Sequence, residues 1–392
     1  MVASFQDKTF LVDHMASIFA FYHPKCIDNA GGFFHIYTDD GQTIEKHRRH
    51  LVNSTRFVIN YARMSKITGD QSLLQYCHHG IEFIEEKHRH EPPAYYWELD
   101  GEKATTTQDF AYGWAFIMLM YAECIQKGCN GLEEQLESSF EQMSNKFWES
   151  EHQLYSDEAD QQGNISDYRG QNTNMHACEA LLSAYRATQS LKYLDRAYQI
   201  AKRITVELAS PKENLIWEHY TIDWTIDWDY NKDKPNDMFK PWGFQTGHQT
   251  EWAKLLLMLY QYRPEQWMVE RAEHLFNSAI LHGWDHSSGG LVYGFNPDGA
   301  FCDTDKHFWV QAESFAAAAY LAQTTQNPDY WDIYNKIWDY SWQHLVDHQH
   351  GAWYHKVNQQ GQRLSNIKSP LGKCDYHTLG ACYDVLNALA IK

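Results

Sequence analysis

Gly247-His248-Gln249-Thr250-Glu251-Trp252-Ala253-Lys254-Leu255-Leu256-Leu257-Met258-Leu259-Tyr260 opens on polar residues and closes on an apolar run. Leu255, Leu256, Leu257, Leu259 and Tyr260 show the helical pattern. Arg263-Pro264-Glu265 then breaks the chain, and a second helical pattern runs over 266–284. Next comes Gly289-Gly290-Leu291-Val292-Tyr293-Gly294-Phe295-Asn296-Pro297-Asp298-Gly299, an aromatic stretch ending in the Asn, Asp and Gly that a hairpin turn needs. This unit of helix, short link, helix and long link decides the fold, because it repeats.

Helical periodicity appears over 4–22, 46–67, 72–90, 106–127, 131–148, 172–188, 193–208, 245–263, 266–284, 307–325, 330–346 and 375–391. Short links such as Thr68-Gly69-Asp70 and Gln189-Ser190 follow the even-numbered helices. Long links follow the odd ones, with hairpin signatures at 31–41, 153–163, 289–299 and 351–361. Arg56, Tyr112, His176, His248, Trp309 and His377 recur at a spacing of roughly sixty, each opening a helix. Stacked helical hairpins of that period predict an all-α (α/α)6 barrel of twelve helices, even helices inside and odd ones outside, with short β-hairpins at one rim. No linker or low-complexity tract interrupts residues 1–392, so one domain is expected. The irregular 221–243, rich in Trp and Asp, is expected to be a lid or wall over a pocket at that rim, or a structural loop.

Composition narrows the function. An apolar share of 43% supports a large core, and 15 Trp with 25 Tyr suit either wide helix packing or a pocket that stacks on sugar rings. A net charge of −18 without a basic stripe argues against nucleic acid. No apolar run reaches membrane-spanning length, and no secretory signal is visible at the start, so a cytoplasmic location is expected. The eight cysteines form no CxxC pair and read as reduced, mostly buried thiols; metal ligation by cysteine is not expected.

His248 and Glu251, three apart on a helix, share a face. A carboxylate beside an imidazole raises its basicity and fixes its tautomer, as acid–base catalysis requires; a satisfied core pair is the bland alternative, and metal ligation is weak without a ligand-rich sequel. His176 and His377 open equivalent helices, which singles them out from the other histidines. His47 and His50 read as a solvated helix start, and His78, His79, His88 and His90 as helix surface. Arg56 among apolar neighbours needs an acceptor, either a substrate oxygen or an inner-ring Glu. Trp309, Gln311 and Glu313 combine an aromatic plate with an amide and a carboxylate, as sugar sites do, or form a core Trp with two surface polar residues. Walker, Rossmann and nucleophilic-serine motifs are absent, leaving histidine proton transfer as the strongest mechanism.

These segments resemble the N-acylglucosamine 2-epimerase superfamily across nearly the whole chain. The matching residues are Arg56 in its apolar helix, Asp109-Phe110-Ala111-Tyr112-Gly113-Trp114-Ala115-Phe116, Arg169 to Ala180 with its Gln-Asn-x-x-Met-His core, Gly247-His248-x-x-Glu251, Lys306-x-x-Trp309-x-Gln311-x-Glu313, and His377. The resemblance implies an (α/α)6 barrel that interconvert sugars without a redox cofactor, most like the aldose–ketose isomerase branch. It further implies that His248 and His377 are the acid–base pair and that His176 assists ring opening. Arg56, Tyr112, Asn172, Glu251, Trp309 and Gln311 are implied to contact or support substrate, and Glu313 to support a neighbouring base. Lys373, four before His377, falls at a rim position. The expected partner is a small monosaccharide, D-mannose going to D-fructose, or a related aldose such as lyxose. The alternative is 2-epimerisation of mannose/glucose, cellobiose or N-acylglucosamine. A glycoside hydrolase or a non-catalytic sugar-binding protein are more distant readings. No cofactor or metal, and a monomer or homodimer, complete the expectation.

Overall fold

The computed structural model describes residues 4–91, 93–237 and 239–391. Among them are twelve α-helices: α1 (Lys8–Tyr22), α2 (Leu51–Thr68), α3 (Leu74–Phe83), α4 (Ala111–Lys127), α5 (Glu133–Phe147), α6 (Gln171–Thr188), α7 (Leu191–Lys202), α8 (Thr246–Tyr260), α9 (Gln266–Gly283), α10 (Phe308–Thr325), α11 (Asp329–His344) and α12 (Tyr376–Ala388). Each overlaps one of the twelve periodic stretches. No helix among the described residues is long and apolar enough to cross a membrane.

The chain forms two compact units. One comprises Phe19–Ile200 with Ile367–Tyr376, the other Met1–Ile18, Ala201–Asn366 and His377–Lys392. In the first, α2 packs on α4 and α4 on α6, while α3 lies against α2 and α5 against α4. In the second, α8 packs on α10, with α9 against α8 and α11 against α10. The even helices are buried nearly all round: every residue of α8 from Thr246 to Leu259 is buried. The odd ones bury a single stripe, as α5 does with Leu136, Ser139, Phe140, Met143 and Phe147.

The aromatic links form short hairpins, Ile36–Thr38 with Thr43–Ile44 and Gly294–Phe295 with Phe301–Asp303, and do more than that. They lend a short strand to a neighbouring repeat. Glu158–Ala159 pairs with Asp109–Phe110 at the start of α4, Gly294–Phe295 with Phe244–Gln245 before α8, and Lys356–Val357 with Lys306–His307 before α10. Ile367–Ser369 pairs with Ile36–Thr38, which joins the last repeat to the first. Strands this short are what remain when the predicted helix starts are shared with neighbouring links: α2 begins at Leu51 rather than near 46 because Arg48–His50 pairs with Glu98–Asp100.

One device recurs at the fourth residue of three even helices. The Asn174 amide accepts from Tyr155 N at 2.8 Å and donates to Tyr155 O at 2.9 Å. Gln249 does the same to Ile216, at 3.0 and 2.8 Å, and Gln311 to Leu291, at 2.9 and 2.8 Å. A buried side-chain amide thus pairs both polar groups of a link residue, which would be costly to leave unmade. The clamps fix each link against the first turn of an even helix.

Candidate active site

In the α8–α11 unit, the His248 Nδ1 lies 2.9 Å from Glu218 Oε2. Glu218 stands two residues after Ile216, the residue that Gln249 clamps. The His377 Nδ1 lies 2.7 Å from Glu313 Oε1. A carboxylate only accepts, so each Nδ1 carries the proton, and in the neutral ring the lone pair is on Nε2. Both imidazoles face one indole: the Trp309 ring centroid is 5.1 Å from that of His248 and 5.8 Å from that of His377. Gly247 makes this possible, because a Cβ there would sit 2.3 Å from Trp309 Cζ3.

The two pairs are buttressed differently. Glu313 also accepts from Lys254, one turn from Thr250 on α8, and Lys254 in turn donates to Asp384 of α12 at 2.9 Å. Glu251 belongs to this second group: its carboxylate, that of Glu313 and the His377 ring offer ligand atoms within 4.8 Å of one another. This corrects the expectation for Glu251. Three residues after His248, it does not serve that histidine's Nδ1, which Glu218 occupies.

The α2–α6 unit carries its own polar group. There the three-residue spacing does make a pair: His176 Nδ1 is 3.0 Å from Glu179 Oε2. Glu179 Oε1 accepts from Tyr376 Oη at 2.6 Å. The Arg56 guanidinium lies between the rings of Phe116 and Tyr376, at 4.6 and 4.8 Å, donates to Gly372 O, and reaches Tyr112 Oη at 3.3 Å. Tyr112 meets the His176 ring edge-on with centroids 4.9 Å apart. Asn172 presents a buried Oδ1 with no hydrogen-bond partner among the described residues.

Several expectations change. Gln311 is fully buried with both ends of its amide engaged by Leu291, so it clamps a link and has nothing left for a sugar. Lys373 is buried in an ion pair with Asp375, which also accepts from Tyr22 Oη at 2.5 Å, so its ammonium serves a buried carboxylate. His50 and His88 are not solvated: His50 caps α2 by accepting from Val52 N at 3.2 Å, and His88 Nδ1 meets Tyr96 O at 2.8 Å. The 221–243 segment is fastened by indoles, Trp217 Nε1 to Asp227 O at 2.9 Å and Trp242 Nε1 to Trp228 O at 2.7 Å, which suits a fixed wall or a structural loop better than a lid. Sequence reading missed Glu218, Glu179 and Lys254. Glu179 carries the same signal as Glu251, a carboxylate three after a helix-opening histidine. Glu218 carries none, since 30 residues separate it from His248.

The model of the family described as N-acylglucosamine 2-epimerase (GlcNAc 2-epimerase) matches residues 32–381. The chain is 48% identical to the D-mannose isomerase of Marinomonas mediterranea over 99% of each chain. A crystal structure of a D-mannose isomerase matches with a TM-score of 0.97 at 47% identity, covering 99% of this chain and 100% of that one. The cellobiose 2-epimerase of Bacillus thermoamylovorans matches with a TM-score of 0.83, covering 97% and 99%, but at 17% identity it speaks for the fold alone. The fold class is therefore all-α, (α/α)6, and the chain belongs to the N-acylglucosamine 2-epimerase family.

Proposed function

We propose that this protein is an aldose–ketose isomerase that converts D-mannose to D-fructose. The observation that carries the reading is the pair of imidazoles, each with a carboxylate on Nδ1 and both turned to one indole. The high identity to a named D-mannose isomerase over the full chain supports the substrate.

The chemistry follows from the groups. A closed pyranose has no acidic C–H. Ring opening creates the C1 carbonyl, and the C2 hydrogen becomes removable by a base of near-neutral pKa. An Nε2 lone pair backed by a carboxylate can take it, because the carboxylate stabilises the imidazolium that forms. The resulting cis-enediolate takes its proton back at C1 to give the ketose. One of His248 and His377 carries that hydrogen, and the other serves the oxygen protons. Trp309 is the plate against which a sugar stacks. By family resemblance His176, oriented by Glu179, assists ring opening, and Arg56, Tyr112 and Asn172 contact substrate oxygens. Glu251, beside Glu313, is assigned to substrate hydroxyls.

The protein acts as a single catalytic domain, in the cytoplasm, as monomer or homodimer, with a monosaccharide as its only partner. We assign no cofactor. The trio of Glu251, Glu313 and His377 is close enough to hold a metal ion, but a cation there would share Glu313 with the Lys254 ammonium. Epimerisation at C2 needs the same two bases on opposite faces, so the outcome must be read from products. Incubation with mannose, lyxose, glucose, fructose and cellobiose, with and without EDTA, decides it. Fructose as first product from mannose, undiminished by EDTA, is expected. Glucose as first product overturns the isomerase reading, and loss of turnover restored by a divalent ion overturns the cofactor-free one.

A further inference from the structure

Cys77 lies 47 residues before Cys124, and Cys129 five after it, in a sequence with no CxxC pair, yet the three sulfurs come within 4.8 Å of one another in the α2–α6 unit. All three are buried and unbridged. Cys77 comes from α3 and Cys124 from the last turn of α4. Past the end of α4, Gly128 adopts φ 106°, which turns the chain back so that Cys129 N donates to Cys124 O at 3.0 Å. That backbone bond sets two of the sulfurs side by side. The third, Cys77 Sγ, reaches Val58 O at 3.6 Å, a weak contact for a weak donor.

We propose that these three thiols form a site for a soft, thiophilic d10 cation. A cation held about 2.3 Å from each of three sulfurs in a plane needs those sulfurs about 4 Å apart, so closing the observed spacing asks for less than an ångström of movement. Soft thiolates select such ions over the hard cations that oxygen ligands take. The local field agrees. Cys124 sits at the C-terminal end of α4, where the backbone carbonyls favour positive charge. Just before it, Glu123 gathers Arg63, Lys127 and Arg186 at 3.3, 3.5 and 3.5 Å, so that carboxylate is already ion-paired. On binding a divalent ion, three S–H bonds break, three metal–sulfur bonds form, three protons pass to solvent and the complex carries one negative charge; nothing is oxidised or reduced. Entry is through the link after α4, where Asn130 and Gly131 are exposed beside Cys129. The site ties α3 to the end of α4 and takes no part in the sugar chemistry.

The test uses the reduced, desalted full-length protein and Cd2+. One equivalent per chain should develop thiolate-to-cadmium charge-transfer absorption. X-ray absorption at the cadmium edge should find three sulfur neighbours. Cys302→Ser, which alters a half-buried thiol of the other unit, should leave both unchanged, whereas Cys129→Ser should abolish the absorption with the same circular dichroism and mannose turnover as the parent. The proposal is overturned if the unsubstituted protein shows no charge-transfer band, if its cadmium has an oxygen and nitrogen shell, or if the band survives in Cys129→Ser. The cadmium-edge result needs no variant, so a misfolded Cys129→Ser does not rescue the idea.

Discussion

Two sets of histidines are equally hidden from water and differ in what they touch. His248 and His377 are 6% and 7% exposed, and each has a carboxylate on Nδ1. His35, His50 and His88 are 1%, 3% and 0% exposed and meet backbone instead: His35 accepts from His50 N at 2.9 Å, His50 from Val52 N, and His88 meets Tyr96 O. Burial pushes His50 down to about 3 and His88 to about 4, and His35 well below its usual range, so these three stay neutral. Burial alone makes a histidine an inert spacer. A buried carboxylate at Nδ1 makes one that can hold a proton and give it back.

The comparison predicts its largest effect on turnover. His248→Ala and His377→Ala should each lower kcat by about 10²–10⁴-fold and leave the melting temperature near that of the parent, while His88→Phe should leave kcat intact in whatever fraction folds. Normal turnover in a folded His248→Ala or His377→Ala variant, or a kcat loss in folded His88→Phe, breaks the division.

Lys254 comes next. It is the cation shared by Glu313 and Asp384, and Lys254→Met leaves those buried carboxylates facing each other. Removing one partner of a buried ion pair costs about 3–5 kcal/mol, to be read as a lowered urea midpoint. An unchanged midpoint would show that the buttress under His377 is dispensable and that the two histidine–carboxylate pairs are alike after all.

The smallest effect is on acid stability. His50 and His88 have depressed folded pKa values, so the unfolded chain binds more protons as pH falls. Their neutral state is stabilising above about pH 6.5, and stability is lost progressively below it, down through their folded values. By pH 5 the loss is about 2 kcal/mol for each of the two. Urea midpoints measured from pH 7 to 5 should fall, and fall less in His88→Phe. A flat profile would mean that these histidines are not held neutral.

The helices were legible because burial writes a period into the chain. For α9 the reading of 266–284 meets Gln266–Gly283, and for α6 that of 172–188 meets Gln171–Thr188. The starts of α2 and α4 were read too early, since Arg48–His50 and Asp109–Phe110 are claimed by strands from other links. Within the candidate site, the histidines stood out because each lies in the opening turns of an even helix, His176 sixth in α6, His248 third in α8 and His377 second in α12. Their carboxylates were legible only where the partner is local. Glu179 is within one turn of His176, but Glu218 reaches His248 through a link whose path depends on the Gln249 clamp. Gln311 was misread for the same reason: its polar side chain serves a link 20 residues away, which no periodicity reports. The three-thiol cluster is the same lesson in cysteine, for Cys77 joins Cys124 and Cys129 from 47 residues away.

The central claim is that a carboxylate-backed imidazole moves one hydrogen between C2 and C1. The most direct measurement follows mannose deuterated at C2 by NMR, in water, at low conversion. One histidine acting on one face predicts fructose as the early product, with part of the deuterium at C1 and the rest exchanged through the labile imidazolium proton. Glucose formed as fast as fructose, with solvent hydrogen at C2, would contradict the account and show two-base epimerisation by the same pair of histidines.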